Sequence, residues 1–249
     1  MHTKNIIMHG IAAGCGFVFL VLGANSGALA APISVFQDNG WTRFASDDAV
    51  GENGFVNPGW GGQAFDAEYL FYKKSGNQLS IGLQTGFNVE TGVVKAGQKN
   101  YYAGDLALSF DGDASVYEYA FDFGLETHPY DPSDTDLTHD QGLYEVISWN
   151  KGVYYDASLP FAMEQGKHLE DGKTEAGLEG DSYYRIVSFD LTSLNLSHPF
   201  DGFSAHWTMS CGNDVVEGTA PVPEPATMLL FGTGLAGLAS VGRKKMKCS

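Results

Sequence analysis

The sequence predicts an all-β protein, an antiparallel β-sandwich of the jelly-roll kind, set between two terminal targeting segments. Apolar residues in the middle of the 249-residue chain alternate with polar ones, which is the period of strands and not of helices. Turn residues separate these runs, and about eight or nine short strands with such turns are typical of a sandwich. We therefore divide the chain into residues 1–30, residues 31–218 and residues 219–249.

The N-terminal segment has the three parts of a secretory signal peptide. Lys4 lies in a weakly basic start, residues 11–22 are apolar or small, and residues 28–30 read Ala-Leu-Ala. We expect signal peptidase to cut after Ala30. An uncleaved anchor is the alternative, but an apolar run of about 12 residues is short for a membrane span. A lipoprotein cut before Cys15 is disfavoured because too little apolar sequence precedes it.

The first half of the central region predicts two hairpins. Residues 65–72 and 78–85 alternate apolar and polar side chains, and residues 74–77 between them form a turn that tolerates positive φ. Residues 106–110 and 116–123 predict the second pair, joined by an Asp-Gly-Asp turn.

The second half predicts more strands and one helix. The strand candidates, of which the last two are weaker, are residues 143–149, 183–191, 203–209, 41–44 and 153–155. Residues 161–169 are the one segment in which we expect a helix, and residues 219–223 are expected to be a linker.

The sharpest internal motif is the last predicted strand with its turn. Alternation predicts Trp207 and Met209 in the core and His206 and Thr208 on the outside, followed by a tight turn at residues 212–214. We expect this segment to close the sandwich and not to form a site.

The C-terminal segment predicts a membrane helix with a cytoplasmic basic tail. Residues 226–242 are apolar or small, and the basic cluster of Arg243, Lys244 and Lys245 follows them. A helix of this length rises roughly 25 Å, close to the thickness of a hydrocarbon core, and basic residues prefer the cytoplasmic side. The domain before the helix is therefore expected outside the membrane, in agreement with the export signal.

Pro223, Glu224 and Pro225 stand directly before this helix. Two prolines around one residue prevent helix or ladder formation, so the strip is expected to be extended and open to a processing enzyme. Pro-Glu-Pro, an apolar helix and a terminal basic cluster together resemble the PEP-CTERM sorting signal, over about the last 28 residues. A plain C-terminal anchor is the alternative.

The resemblance implies a processing route and a location. In this family exosortase, a membrane protease-transpeptidase, recognises Pro223, Glu224 and Pro225 and removes the helix and the basic tail. It implies a precursor anchored in the inner membrane, then a product at the cell surface or in the extracellular matrix, in the context of exopolysaccharide production. The segment ending at residue 214 also looks like the last strand of many PEP-CTERM surface domains.

Charge and cysteine content limit the partners of the central region. Residues 31–225 hold all 30 acidic residues but nine of the 14 basic ones, a formal charge of −21. Such a surface repels nucleic acid, so we expect no nucleic-acid partner. Cys211 is the one cysteine between the terminal segments. We expect it to be buried; a modified thiol or an intermolecular bridge are the alternatives.

The sequence contains no catalytic motif, and we predict that the protein is not an enzyme. A nucleophile elbow, a zinc helix, a phosphate loop and the Glu-x-Asp-x-x-Glu strand of jelly-roll glycosidases are all missing from the sequence. No cofactor is expected except calcium, which prefers several oxygen ligands. Two loops offer carboxylates for calcium: Asp111 and Asp113, or Asp131, Asp134 and Asp136.

Aromatic residues in Gly- and Asp-rich segments suggest contact with carbohydrate. These residues are Trp41, Trp60, Tyr101, Tyr102 and Tyr130. The sequence thus predicts a structural or adhesive surface protein associated with exopolysaccharide. The alternatives are a secreted glycan-active enzyme and a calcium-dependent carbohydrate-binding module.

Overall fold

The computed structural model describes residues 31–38, 40–47, 55–113, 115–131, 135–196 and 200–221. Its helix and strands are α1 (Ser34–Gln37), β1 (Thr42–Ser46), β2 (Ala67–Ser75), β3 (Gln78–Thr85), β4 (Val93–Ala96), β5 (Lys99–Tyr102), β6 (Leu106–Ser109), β7 (Tyr119–Asp122), β8 (Gly142–Trp149), β9 (Met163–Glu170), β10 (Lys173–Glu179), β11 (Ser182–Asp190), β12 (Gly202–Thr208) and β13 (Val215–Pro221). The strands pair antiparallel throughout these residues, so the all-β prediction is confirmed.

The strands form two large sheets and one small one. The five-stranded sheet has the order β1-β2-β3-β11-β10, and the six-stranded sheet has the order β13-β12-β6-β7-β8-β9. The small sheet is the hairpin of β4 and β5. The predicted first hairpin is present as β2 and β3, where Ser75 pairs with Gln78 and Gly76 adopts a φ of 60° in the turn.

Side chains from both large sheets share one hydrophobic core. Phe121 of β7 stacks on Phe189 of β11 with ring centroids 6.1 Å apart. Trp207 of β12, which is fully buried, meets the edge of Phe87 at 6.0 Å. Burying a large apolar side chain contributes about 1.5–3 kcal/mol, so these contacts stabilise the shared core.

The outer face of the five-stranded sheet carries helix α1. Phe36 of α1 stacks on Phe71 with ring centroids 4.3 Å apart, and Trp41 meets Phe36 edge-on at 5.2 Å. Gly82 of β3 allows this approach, because a Cβ there would lie 2.3 Å from the Phe36 ring. The helix is therefore held by a small cluster on the far side of the sheet from the main core.

The helix predicted at residues 161–169 is wrong. The segment forms β9, an edge strand that pairs with β8 along an irregular register. Its residues are mostly exposed or half-buried, so their polarity does not alternate and the strand period is hidden in the sequence.

Other strand predictions change in their limits. Residues 153–155 form no strand, and the strand predicted at 116–123 is reduced to β7. Residues 219–221, predicted as the start of a linker, instead end strand β13, which pairs with β12 up to Pro221.

The exposure predicted for His206 and Thr208 is wrong. Both face away from the main core, as alternation requires, but their side chains are buried, with exposures of 1% and 0%. His206 Nε2 lies 3.1 Å from the carbonyl oxygen of Ser158, and Thr208 donates its hydroxyl to the carbonyl of Asp214 at 2.5 Å. A loop and a turn thus cover the face that sequence alternation assigns to solvent.

The terminal predictions fall outside the described ranges. These are the signal peptide at residues 1–30 and the membrane helix after residue 225. Among the residues that the structure describes, no helix is long and apolar enough to cross a membrane.

Candidate functional site: a groove beside Trp41 and two acidic clusters

A groove of about 360 Å³ lies on the outer face of the five-stranded sheet, next to α1. Its apolar wall is made by Val35, Trp41 and Ile186, and its polar side by Lys73, Ser75, Gln78, Ser80 and Glu175. Ligand pockets combine an apolar surface with a few polar groups in this way, in volumes from roughly 300 Å³ upward. The groove is a candidate for a binding site.

Strand alternation places the polar groups in the groove. Leu79 and Ile81 of β3 point into the core, so Gln78 and Ser80 point to the opposite face. The Ser80 hydroxyl lies 2.7 Å from the hydroxyl of Ser188 on the neighbouring strand, which fixes its position. The sheet therefore supplies a rigid row of hydrogen-bonding groups.

The wall of the groove depends on the packing of α1. Trp41 is half-buried and rests edge-on against Phe36, which is itself buried to 3% exposure. An aromatic ring held in this way suits the C–H face of a sugar ring, and the neighbouring amide, hydroxyl and charged groups suit its hydroxyls. Among the described residues that line the groove, Glu175 is the single carboxylate.

A second feature is a cluster of three aspartates, Asp47, Asp66 and Asp214, which sequence reasoning missed. One carboxylate oxygen from each lies within 4.8 Å of the others, and Asp66 and Asp214 are buried. Ala67 donates its backbone N–H to Asp214 Oδ2 at 2.7 Å, and Val215 donates to Oδ1 at 2.9 Å. Such a set of oxygens could hold a metal ion.

Electrostatics at this cluster favour the protonated form of Asp214 when no cation is bound. Burial, together with the negative charges of Asp47 and Asp66, raises the pKa of Asp214 to about 9. The two backbone N–H groups act in the opposite direction but do not offset burial. Asp214 therefore carries a proton at neutral pH.

A third feature is the buried pair of Asp105 and Asp122 at the ends of β6 and β7. Burial and the nearby charge of Asp122 hold the pKa of Asp105 well above its usual value. Met163 donates its backbone N–H to Asp105 at 2.7 Å, and His139 Nδ1 lies 3.5 Å from Asp122. The nearby carboxylate of Asp122 raises the pKa of His139. Both carboxyls are buried inside the protein, and neither lines the Trp41 groove.

The far C-terminal sequence matches a known sorting motif. Residues 221–244 match the family model described as PEP-CTERM protein-sorting motif. This chain carries a PEP-CTERM sorting motif. The resemblance inferred from Pro223, Glu224 and Pro225 is thus confirmed. No curated protein and no solved structure matches this PEP-CTERM protein.

The motif places this PEP-CTERM protein in an export route. It implies a membrane-anchored precursor that exosortase, its processing partner, sorts to the cell surface. Arg243 and Lys244 lie within the matched range and Lys245 directly after it. All the sorting residues lie outside the part of the chain that the structure describes, but the match begins at Pro221, the last residue of β13.

In the first predicted calcium loop, both carboxylates accept hydrogen bonds from the loop itself. Asp111 Oδ1 accepts the backbone N–H of Asp113 at 2.8 Å. Asp113 Oδ1 accepts the hydroxyl of Ser115 at 2.6 Å and its N–H at 2.9 Å, and these bonds lower the pKa of Asp113. Both carboxylates thus shape a turn, and calcium at this loop stays a prediction.

The second predicted calcium loop is described in part. Asp131 and Asp136 are exposed, and Asp134 lies outside the described residues. Asp136 accepts the backbone N–H of Thr138 at 2.9 Å. Calcium at this loop also stays a prediction.

The predicted sugar-binding aromatics separate into several places. Trp41 lines the groove, whereas Tyr101 and Tyr130 lie 6.2 Å apart on another surface, where Lys99 packs over the Tyr130 ring. Tyr102 contacts an imidazole ring at 4.9 Å, and Trp60 is 68% exposed in a loop. Of this group, the structure places Trp41 in the groove on the five-stranded sheet.

Cys211 is buried, as predicted, with 1% exposure. Burial raises the pKa of its thiol to about 12. A thiol in this environment stays protonated at neutral pH and acts as a small apolar side chain.

Proposed function

We propose that the β-rich domain of this exported PEP-CTERM protein binds an uncharged polysaccharide outside the cell, as a structural or adhesive component of an exopolysaccharide matrix. The Trp41 groove carries this proposal. It combines the Trp41 ring, which packs edge-on against Phe36, with amide, hydroxyl and charged groups on a rigid sheet. We also propose that the two large sheets form the predicted sandwich, which would make the outer sheet face a stable platform.

The charge of the protein favours an uncharged polymer. Residues 31–225 carry a formal charge of −21, which repels a polyanionic chain at low ionic strength. Within the groove, Lys73 and Glu175 oppose each other in sign, so the site itself has no strong preference for a charged ligand.

A non-enzymatic role is part of the proposal. Hydrolysis of a glycosidic bond requires two carboxyl groups on either side of the bond, roughly 5 to 10 Å apart. Glu175 is the carboxylate among the described groove residues, and the close pair of Asp105 and Asp122 is buried away from the groove. This distribution supports binding over the alternative of a glycan-active enzyme.

Binding is tested by co-sedimentation of the full-length chain with insoluble β-1,4-glucan and galactomannan, and by affinity electrophoresis in dextran. Polygalacturonate serves as the charged comparison. We expect retention by a neutral polymer and weaker binding to polygalacturonate. Trp41→Ala should weaken binding at least tenfold, which corresponds to about 1.4 kcal/mol.

Two further variants separate the groove from general effects. Gln78→Ala removes an exposed groove amide without touching the cluster under α1, and should also weaken binding. Trp60→Ala removes an exposed ring outside the groove and should leave binding unchanged. Equal losses in Trp41→Ala and Trp60→Ala, or no retention by any neutral polymer, would contradict the proposal.

Processing at the sorting motif is tested by the intact mass of the mature protein from host cells with and without exosortase. We expect a chain that ends near Pro223 to Ala226 when exosortase is present. A product that still contains Arg243 to Ser249 in both strains would show a plain membrane anchor instead.

Calcium dependence remains a proposal of its own. It predicts a higher melting temperature with calcium than with a chelator. An unchanged melting temperature would remove the calcium-dependent form of the binding proposal.

A further inference from the structure

A second groove, of about 290 Å³, lies at the end of β8. Its walls include Val116, Tyr117, Trp149, Asn150, Lys151 and Pro160. Like the Trp41 groove, it has a tryptophan on an apolar floor and hydrogen-bonding groups at the rim, but its lining is more apolar. The two sites therefore share their chemistry, although no sequence motif relates them.

The Trp149 side chain is fixed in place by its neighbours. Its indole N–H donates to the carbonyl oxygen of Tyr117 at 2.8 Å, and the side chain is half-buried. Tyr117 is largely buried, while Val116 next to it is 52% exposed. A groove with a fixed ring needs little ordering when a ligand binds, which reduces the entropic cost.

The two grooves lie on opposite faces of the domain. In β8, Leu143 points into the main core, whereas Tyr144, Val146 and Trp149 form a separate cluster on the outer face of the six-stranded sheet. The Trp41 groove lies on the outer face of the five-stranded sheet. The main core lies between the two sheets, and packed sheets are about 10 Å apart. The core and both sheets therefore separate the two grooves.

We propose that the protein is bivalent and cross-links polysaccharide, with one uncharged chain in the Trp41 groove and another in the Trp149 groove. The inference rests on the proposed function for the class of ligand, and adds a second site and a matrix-joining role. The second groove offers the Asn150 amide and the Lys151 ammonium as hydrogen-bonding groups for sugar hydroxyls beside the Trp149 ring. The formal charge of −21 on residues 31–225 disfavours a polyanionic chain at this groove too. A short oligosaccharide cannot reach around the domain, so it reports on each groove separately.

Stoichiometry tests the proposal directly. The full-length chain, in a detergent without a sugar headgroup, is titrated by calorimetry with the hexasaccharide of whichever neutral polymer it retains. We expect two sites in the wild type, one in Trp41→Ala, one in Trp149→Ala and none in the double variant. Trp60→Ala, the matched control, should keep two sites.

Cross-linking is measured with the intact soluble polymer by turbidity and viscosity. The wild type should raise both, and each single variant should bind the polymer without raising either. Lys151→Ala, a rim change that leaves the Trp149 hydrogen bond in place, should weaken the second site about threefold; it keeps the test valid if Trp149→Ala does not fold.

The outcomes distinguish the two proposals. One site in the wild type, lost in Trp41→Ala and untouched by Lys151→Ala, would overturn bivalency and leave the proposed function standing. No binding to any neutral sugar would overturn both. Two sites that survive in the double variant would show that the ligand binds elsewhere.

Discussion

The buried carboxyl of Asp214 predicts that the protein loses stability as pH rises through neutrality. Its pKa is about 9 in the folded protein, against an ordinary value of 3.8. Between these values the folded state holds a proton that the unfolded state has released. Because the unfolded state binds fewer protons, the free energy of unfolding falls with rising pH. The stabilisation that Asp214 provides is complete only below pH 3.8 and is lost as the pH rises toward 9.

The size of the effect follows from one proton. Each pH unit within that window costs about 1.4 kcal/mol, so stability should fall by about 2.7 kcal/mol between pH 6 and pH 8. Asp214→Asn removes the ionisation. The amide keeps one acceptor and loses one of the two bonds from Ala67 and Val215, at a pH-independent cost of about 1 kcal/mol.

The assay is urea unfolding of wild type and Asp214→Asn from pH 5 to pH 8.5, in the presence of a chelator. Asp105 and Asp122 make the free energy of unfolding depend on pH in the same way in both proteins. Their contribution therefore cancels when the two proteins are compared. The difference in free energy of unfolding between variant and wild type should change by about 1.4 kcal/mol per pH unit, with the variant relatively more stable at high pH. A flat difference between pH 6 and pH 8 would refute the reasoning. If calcium abolishes the slope, the three aspartates hold the ion.

Two further predictions concern the turn after β12. The thiol of Cys211 has a pKa of about 12, so it should react with thiol reagents orders of magnitude more slowly in the native protein than in urea. Fast labelling of the native protein would show that the thiol is accessible and would contradict its burial. Gly212→Ala should lower the melting temperature more than Gly76→Ala, since both glycines have a φ of 60° but a Cβ at Gly212 would also lie 2.8 Å from the Tyr155 carbonyl oxygen. Equal losses would mean that left-handed backbone strain accounts for the whole effect.

Sequence reasoning predicted the parts of the fold that depend on local pattern. The hairpin of β2 and β3 was predictable because its strands alternate and Gly76 provides the turn. Burial of Cys211 was predictable because a free cysteine behaves as a small apolar side chain and is among the most buried residue types. Strand β9 was not predictable, because most side chains of this edge strand are exposed or half-buried and it has no alternating apolar pattern.

The candidate site was mostly beyond sequence reasoning. Trp41 was picked out as an aromatic near turn residues, but nothing in the sequence pairs it with Gln78 or Glu175. These side chains come from different strands, and strand order and register bring them together. The same is true of Asp66 and Asp214, which are 148 positions apart in the chain yet meet at one buried point.

The sequence by itself determined the all-β class and the sorting motif, because each depends on a short segment of the chain. The class follows from alternation within single strands, and the motif consists of Pro-Glu-Pro, an apolar segment and a basic tail. Only the tertiary structure decided which faces are covered. His206 and Thr208 are buried by a distant loop and a turn, and Trp41 and Trp149 each line a groove with residues from other parts of the chain. Local pattern fixes the direction in which a side chain points from its strand, whereas the neighbour it meets there depends on long-range packing.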